Sequence, residues 1–135
     1  MKRLFLDTNI VIDLLDKREP FYEDAVRLFS KAYRQELQLV VAPITYATAS
    51  YLLQKSHTPE EVHNLLANFR QLSRVATIDE RVIDDAIASS FRDFEDAVQY
   101  YAALKAKADF IITRNGKDFE LSKIPVMTAT EYLAL

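Results

Sequence analysis

The chain has 135 residues, half of them apolar, enough to bury one sizeable core, and is read as one domain over residues 1–135. With no cysteine, disulfides, thiolate metal sites and cysteine nucleophiles are excluded, and His57 and His63 are the only imidazoles. No uncharged apolar run reaches membrane-spanning length and the first residues read as a strand instead of a signal segment, so a soluble cytoplasmic protein is expected; a net charge of −3 argues against a nucleic-acid coat but permits a basic rim around an acidic site.

Leu4, Phe5 and Leu6 form an apolar run that stops at Asp7-Thr8-Asn9 before a second apolar run over residues 10–15. The pattern predicts a strand buried on both faces that feeds a helix, as in a parallel sheet covered by helices. Thr8 and Asn9 are available to cap that helix. Asp7 then stands at the carboxyl end of the strand, where open parallel sheets collect ligands, and is either a cap or a metal ligand. Pro20 suits the first position of a helix whose apolar residues Phe21, Ala25, Leu28, Phe29, Ala32 and Tyr33 share one face. Residues 38–42 predict a second strand, and residues 44–56 a helix without any carboxylate.

Thr58, with Glu61 three residues on, is a capping box that opens a helix through about Leu72. Residues 75–78 predict a short strand, Asp79 caps a helix over residues 82–89, and residues 93–107 predict a further helix rich in alanine and aromatics. The apolar strand predicted over residues 108–114 ends at Asn115-Gly116-Lys117-Asp118, repeating the situation of Asp7. A short strand over residues 124–127 follows, with Thr128 or Thr130 capping a last helical turn over residues 131–135. Strands alternating with helices, without hairpin signals, argue for an α/β fold, a three-layer sandwich around a mainly parallel sheet of roughly five strands.

Most of the 20 acidic residues are expected on the solvated surface, so position must single out those with a chemical role. Asp7 and the 115–118 segment follow the ends of two apolar strands. Asp93, Glu95 and Asp96 crowd the start of an otherwise apolar helix, with Asp93 and Asp96 on one face at i and i+3; the plainer explanation is helix N-terminal charge. Carboxylates brought close together raise one another's pKa unless a cation neutralises them, so a cluster points to Mg2+ or Mn2+. All-oxygen donors fit such a hard cation better than zinc, and the matching chemistry is phosphodiester cleavage.

Three segments, LFLDTNIVIDLL at residues 4–15, FEDAVQYYAA at 94–103 and IITRNGKDF at 111–119, together resemble the PIN domain, and more narrowly the VapC-type ribonuclease toxins. They fall in order, and the similarity covers essentially the whole chain. The resemblance implies a PIN-like fold and a metal-dependent endoribonuclease that hydrolyses RNA with Mg2+ or Mn2+. It also implies the toxin half of a type II toxin–antitoxin pair, silenced by an antitoxin segment near the site; a homodimer is expected. The family's first acid falls on Asp7, its helix acid on Asp96, and its strand-end acid on Asn115 with Asp118 nearby. The expected catalytic and metal-binding acids are therefore Asp7, Asp96 and Asp118, with Asp93 as a further ligand. Thr8, Asn9, Thr113, Asn115 and Glu95 would support them. Arg114 and Lys117, like Lys2 and Arg3, are candidates for phosphate contact because they border the strand ends.

The chain departs from the family at Thr48, which falls where a glutamate is expected on the helix after the second strand. Either Asp93 or Glu95 substitutes, or the metal is held more weakly, or hydrolysis is lost and a silent RNA- or protein-binding module remains. A phosphatase of the haloacid dehalogenase type would need an aspartate where Asn9 stands, and asparagine cannot shuttle the proton. The single glycine, Gly116, excludes a glycine-rich phosphate loop. His57 and His63 are expected at the surface, and Tyr46, Tyr51, Tyr100 and Tyr101 in the core or at a dimer interface.

Overall fold

Alternation along the strands organises the molecule, a computed structural model that describes residues 1–135. In β1 (Lys2–Leu6), Leu4 and Leu6 belong to a core on one face of the sheet while Phe5 belongs to a second core on the other. In β2 (Leu37–Val41), Leu39 and Val41 join the first core and Val40 the second; in β4 (Phe110–Ile112), Ile112 and Ile111 divide in the same way. Two covered faces explain why these strands read as unbroken apolar runs.

With β3 (Ser73–Val75) and β5 (Val126–Met127), the strands form one sheet in the order β3-β2-β1-β4-β5, every pairing parallel. The expected sandwich thus stands, with the sheet parallel throughout. The first core lies under α1 (Thr8–Leu15), α2 (Tyr22–Tyr33), α3 (Pro43–Leu53), α4 (Pro59–Leu72) and α7 (Ala129–Leu133). The second lies under α5 (Glu80–Ala88) and α6 (Phe94–Lys105).

The strand order has a direct consequence for function. From β1 the chain winds outward through β2 and β3, then returns to place β4 on the other side of β1. The carboxyl edge between β1 and β4 is therefore the switch point of the sheet, where α/β folds open a crevice.

The helix starts follow side-chain chemistry. Thr58 accepts from the Glu61 amide while the Glu61 carboxylate accepts from the Thr58 amide, so the predicted capping box is complete. Thr128, not Thr130, caps α7, with Glu131 closing a second box. Asp79 caps α5 as expected.

Several boundaries differ from the sequence expectation. The third strand lies at residues 73–75, not 75–78: its partner β2 ends opposite Val75, and beyond it only the Ala76 amide still reaches Val41 O. The polar residues after β4 form a 3-10 turn, Gly116–Phe119, anchored by the buried ring of Phe119. Tyr100 is buried and Tyr46 and Tyr101 half-buried, but Tyr51 projects 61% exposed. His63 is at the surface, whereas His57 is half-buried with Nδ1 beside the Leu53 carbonyl.

Candidate active site

Asp7 directly follows β1 and sits only 7% exposed at the switch point. Its amide donates to Ile112 O at 2.9 Å, which ties it to β4. Asp7, not Thr8 or Asn9, is the N-cap of α1, and its Oδ1 accepts from the Thr8 amide at 2.7 Å. Oδ2 accepts from the buried Thr113 hydroxyl at 2.7 Å and from Asn9 Nδ2 at 3.3 Å. A carboxylate offers about four lone-pair directions, so acceptor capacity remains after these bonds. Thr8 bridges to the fully buried Thr45 hydroxyl of α3 at 2.8 Å.

On the β4 side, the Asn115 amide donates to Thr113 Oγ1 at 3.0 Å, and the Asp118 amide donates to Asn115 O at 3.0 Å. Thr113 is thus a relay between Asp7 and the 3-10 turn that carries Asp118. Of the residues expected to support the acids, Thr113 and Asn9 bond Asp7 directly, and Asn115 holds the turn of Asp118.

The N-terminus of α6 supplies the rest. Asp96 is half-buried at its first turn, and its carboxyl is pushed up to about 7. Burial is the largest cause, followed by the charges of Asp93, Asp118, Asp7 and Glu95, in that order. Asp93 does not share a helical face with Asp96 as predicted: it lies outside the helix as its cap, accepting from the Asp96 amide at 3.0 Å. One of its oxygens is committed there. Asp93, Asp96, Lys117 and Asp118 line one open groove of about 500 Å3 together with Arg92.

The convergence on Asp96 is electrostatic and not a closed cage, since no three His, Asp or Glu side chains stand close enough to hold one ion between them. The donor set itself fits a hard divalent cation, because every group whose charge acts on Asp96 is a carboxylate.

On α3, Thr48 is half-buried and the helix has no acid in its first turn. Glu95, exposed on α6, lines a second groove beside Pro43, Ile44 and Ala47 of that helix. Of the two acids expected to substitute there, Glu95 is the one placed against α3.

Arg114 requires a correction. Its Nε and Nη2 donate to both oxygens of Asp13, at 2.9 and 3.1 Å, and its guanidinium stacks on the Phe21 ring at 4.0 Å. The group is engaged within the chain, so it is not a free phosphate contact; Lys117 remains exposed in the acidic groove. Lys2 and Arg3 lie at the opposite, amino end of β1, and Arg3 bonds Asp109 and Ala106 there. Sequence reading missed Arg92, Asp13 and Thr45. The signal for Asp13 was a lone acid inside the apolar run of residues 10–15.

A family described as PIN domain matches residues 3–117. The chain is 22% identical over 136 residues to Ribonuclease VapC1 of Aquifex aeolicus, covering 97% of this chain and 93% of that one. A toxin–antitoxin complex from Klebsiella pneumoniae superposes with a TM-score of 0.69 at 23% identity, covering 93% and 97% of the two chains. Mycobacterium tuberculosis VapC20, a sarcin-ricin loop cleaving toxin, superposes with a TM-score of 0.61 at 16% identity over 80% and 86%. At these identities the solved structures speak to the fold alone.

Proposed function

This chain belongs to the PIN domain family, and on that premise we propose that it is a metal-dependent endoribonuclease, the toxin of a type II toxin–antitoxin pair, working as a single PIN-like domain over residues 1–135 in the cytoplasm. One observation carries the reading: Asp7 is tied through Thr113 and Asn115 to the turn that bears Asp118, and Asp118 shares one groove with Asp93 and Asp96. Nothing in the packing of a core calls for such an accumulation of like charge; a cation offsets it.

Asp7, Asp96 and Asp118 would hold Mg2+ or Mn2+ together with bound waters, since the three form no closed cage in the metal-free chain. Glu95 supplies the charge that Thr48 does not, and Asp93 contributes from the cap. A divalent cation bound there supplies Lewis-acid neutralisation of an RNA phosphodiester and lowers the pKa of water. The chain's own residues orient the site. Thr113 and Asn9 fix Asp7, Asn115 fixes the turn of Asp118, and Lys117 with Arg92 offers positive charge to phosphates along the groove.

The relative named Ribonuclease VapC1 and the toxin–antitoxin structure support the activity and the antitoxin partner. Ile44 and Phe94, 43% and 52% exposed and lining one shared groove, offer an apolar surface that supports a homodimer. Sedimentation of the purified protein tests the dimer: a monomer at micromolar concentration contradicts it.

The test of the activity is cleavage of RNA by purified protein with Mn2+. Wild-type protein cuts, and Asp96→Asn and Asp7→Asn do not. Asparagine is itself a good N-cap, so Asp7→Asn keeps α1 intact and the loss reads on chemistry. Equal cleavage by wild type and Asp7→Asn overturns the assignment.

A further inference from the structure

Beyond Thr113, whose amide still donates to Met127 O, the chain leaves the ladder of β4. The next residues nevertheless have to hold the Asn115 amide on Thr113 and deliver Asp118 to the acidic groove. The Arg114 amide reaches Asn9 Oδ1 only at 3.5 Å, too long to fix the backbone. The strong tether in this segment is the Arg114 side chain, which crosses to α1 and takes both oxygens of Asp13.

Three features make that tether stiff. Two parallel N–H···O bonds set orientation as well as distance. Asp13 is 2% exposed, so leaving its charge unpaired is costly and the arginine is held in place. Phe21, just ahead of α2, covers the guanidinium face at 4.0 Å.

We propose that the Asp13–Arg114 ion pair is a positioning strut that locks residues 113–118 in register with Asp7, and so sets where Asp118 stands relative to Asp7 and Asp96. It acts through the backbone and touches neither substrate nor cation. The inference rests on reading Asp7, Asp96 and Asp118 as the metal centre, but the strut itself is a property of the metal-free chain.

Two variants of the full chain test it. Asp13→Leu with Arg114→Met removes both charges at once, and replacing a buried pair by apolar residues of similar volume is often neutral for stability. Arg114→Lys keeps the charge but loses the fork and the planar stack. In both, backbone order parameters of residues 114–118, measured without metal, are expected to fall from the rigid value of about 0.85 to below about 0.6, while those of α2 and α4 stay unchanged. Calorimetric Mn2+ affinity is expected to fall about tenfold, as for loss of an outer-shell partner. For RNA cleavage, kcat falls and KM changes little.

Wild-type order parameters in both variants overturn the strut. So does a higher KM at unchanged kcat with the salt slope reduced by about one, which identifies Arg114 as a phosphate contact. Absence of Mn2+ binding by the wild type contradicts the function proposed above and leaves the order-parameter test standing.

Discussion

The hydroxyl of Thr113 donates to Asp7 Oδ2 at 2.7 Å across the seam between β4 and β1, joining residues 106 positions apart in the sequence. Because both groups are buried and the acceptor is charged, the bond is of the stronger kind. It also makes the position of the first acid depend on the pairing of β1 with β4.

Thr113→Val preserves shape and removes the hydroxyl. It is expected to cost about 1.5–3 kcal/mol in urea unfolding, the range for hydrogen bonds to charged groups. Thr113→Ser is expected to stay close to wild type. Equal losses in both variants would assign the effect to packing and not to the bond.

The metal-free protein should show the strain of the cluster as pH dependence. Asp96 is raised from 3.8 to about 7, so between those values the folded state binds more protons than the unfolded one. Its contribution therefore lowers stability as pH rises through that window. Asp96→Asn should flatten this fall, and Mn2+ should reverse it by drawing the carboxyl back toward ordinary values. Carbon-13 NMR of the Asp96 carboxyl reads the titration; a midpoint near 4 without metal would contradict the clustering.

Gln99 lies in α6 at 1% exposure, and its Oε1 has no hydrogen-bond partner. An unsatisfied buried carbonyl costs about 1–3 kcal/mol, so Gln99→Met, of similar length and flexibility, is expected to stabilise the fold by about 1 kcal/mol in thermal or urea unfolding. Destabilisation would show that this oxygen is bonded to ordered water.

Local chemistry was the most legible part of the sequence. The Thr58–Glu61 box, the Asp79 cap and the first two apolar strands depend on neighbours within a few residues, and the structure repeats them closely, while the strand expected over residues 108–114 shortens to Phe110–Ile112. The positions of Asp7 at a strand end and of Asp96 at a helix start were legible because both are written locally. The role of Arg114 was not: beside Asn115 and Lys117 it reads as a rim base, and only the meeting of β4 with α1 reveals Asp13, 101 residues away. Asp93 was misplaced by a single residue of helix boundary, which turned a supposed face neighbour of Asp96 into its cap. The short third strand shifted because its length is set by where β2 ends opposite it, a fact no local pattern carries.

The central claim, that Asp7, Asp96 and Asp118 form one divalent-metal site, is tested most directly by calorimetric titration of Mn2+ into wild-type protein and Asp7→Asn. The expected result is saturable binding to the wild type, weakened at least about tenfold in the variant, since even outer-shell partners carry that much. No binding by the wild type at millimolar Mn2+, or equal affinity in the two proteins, would contradict it.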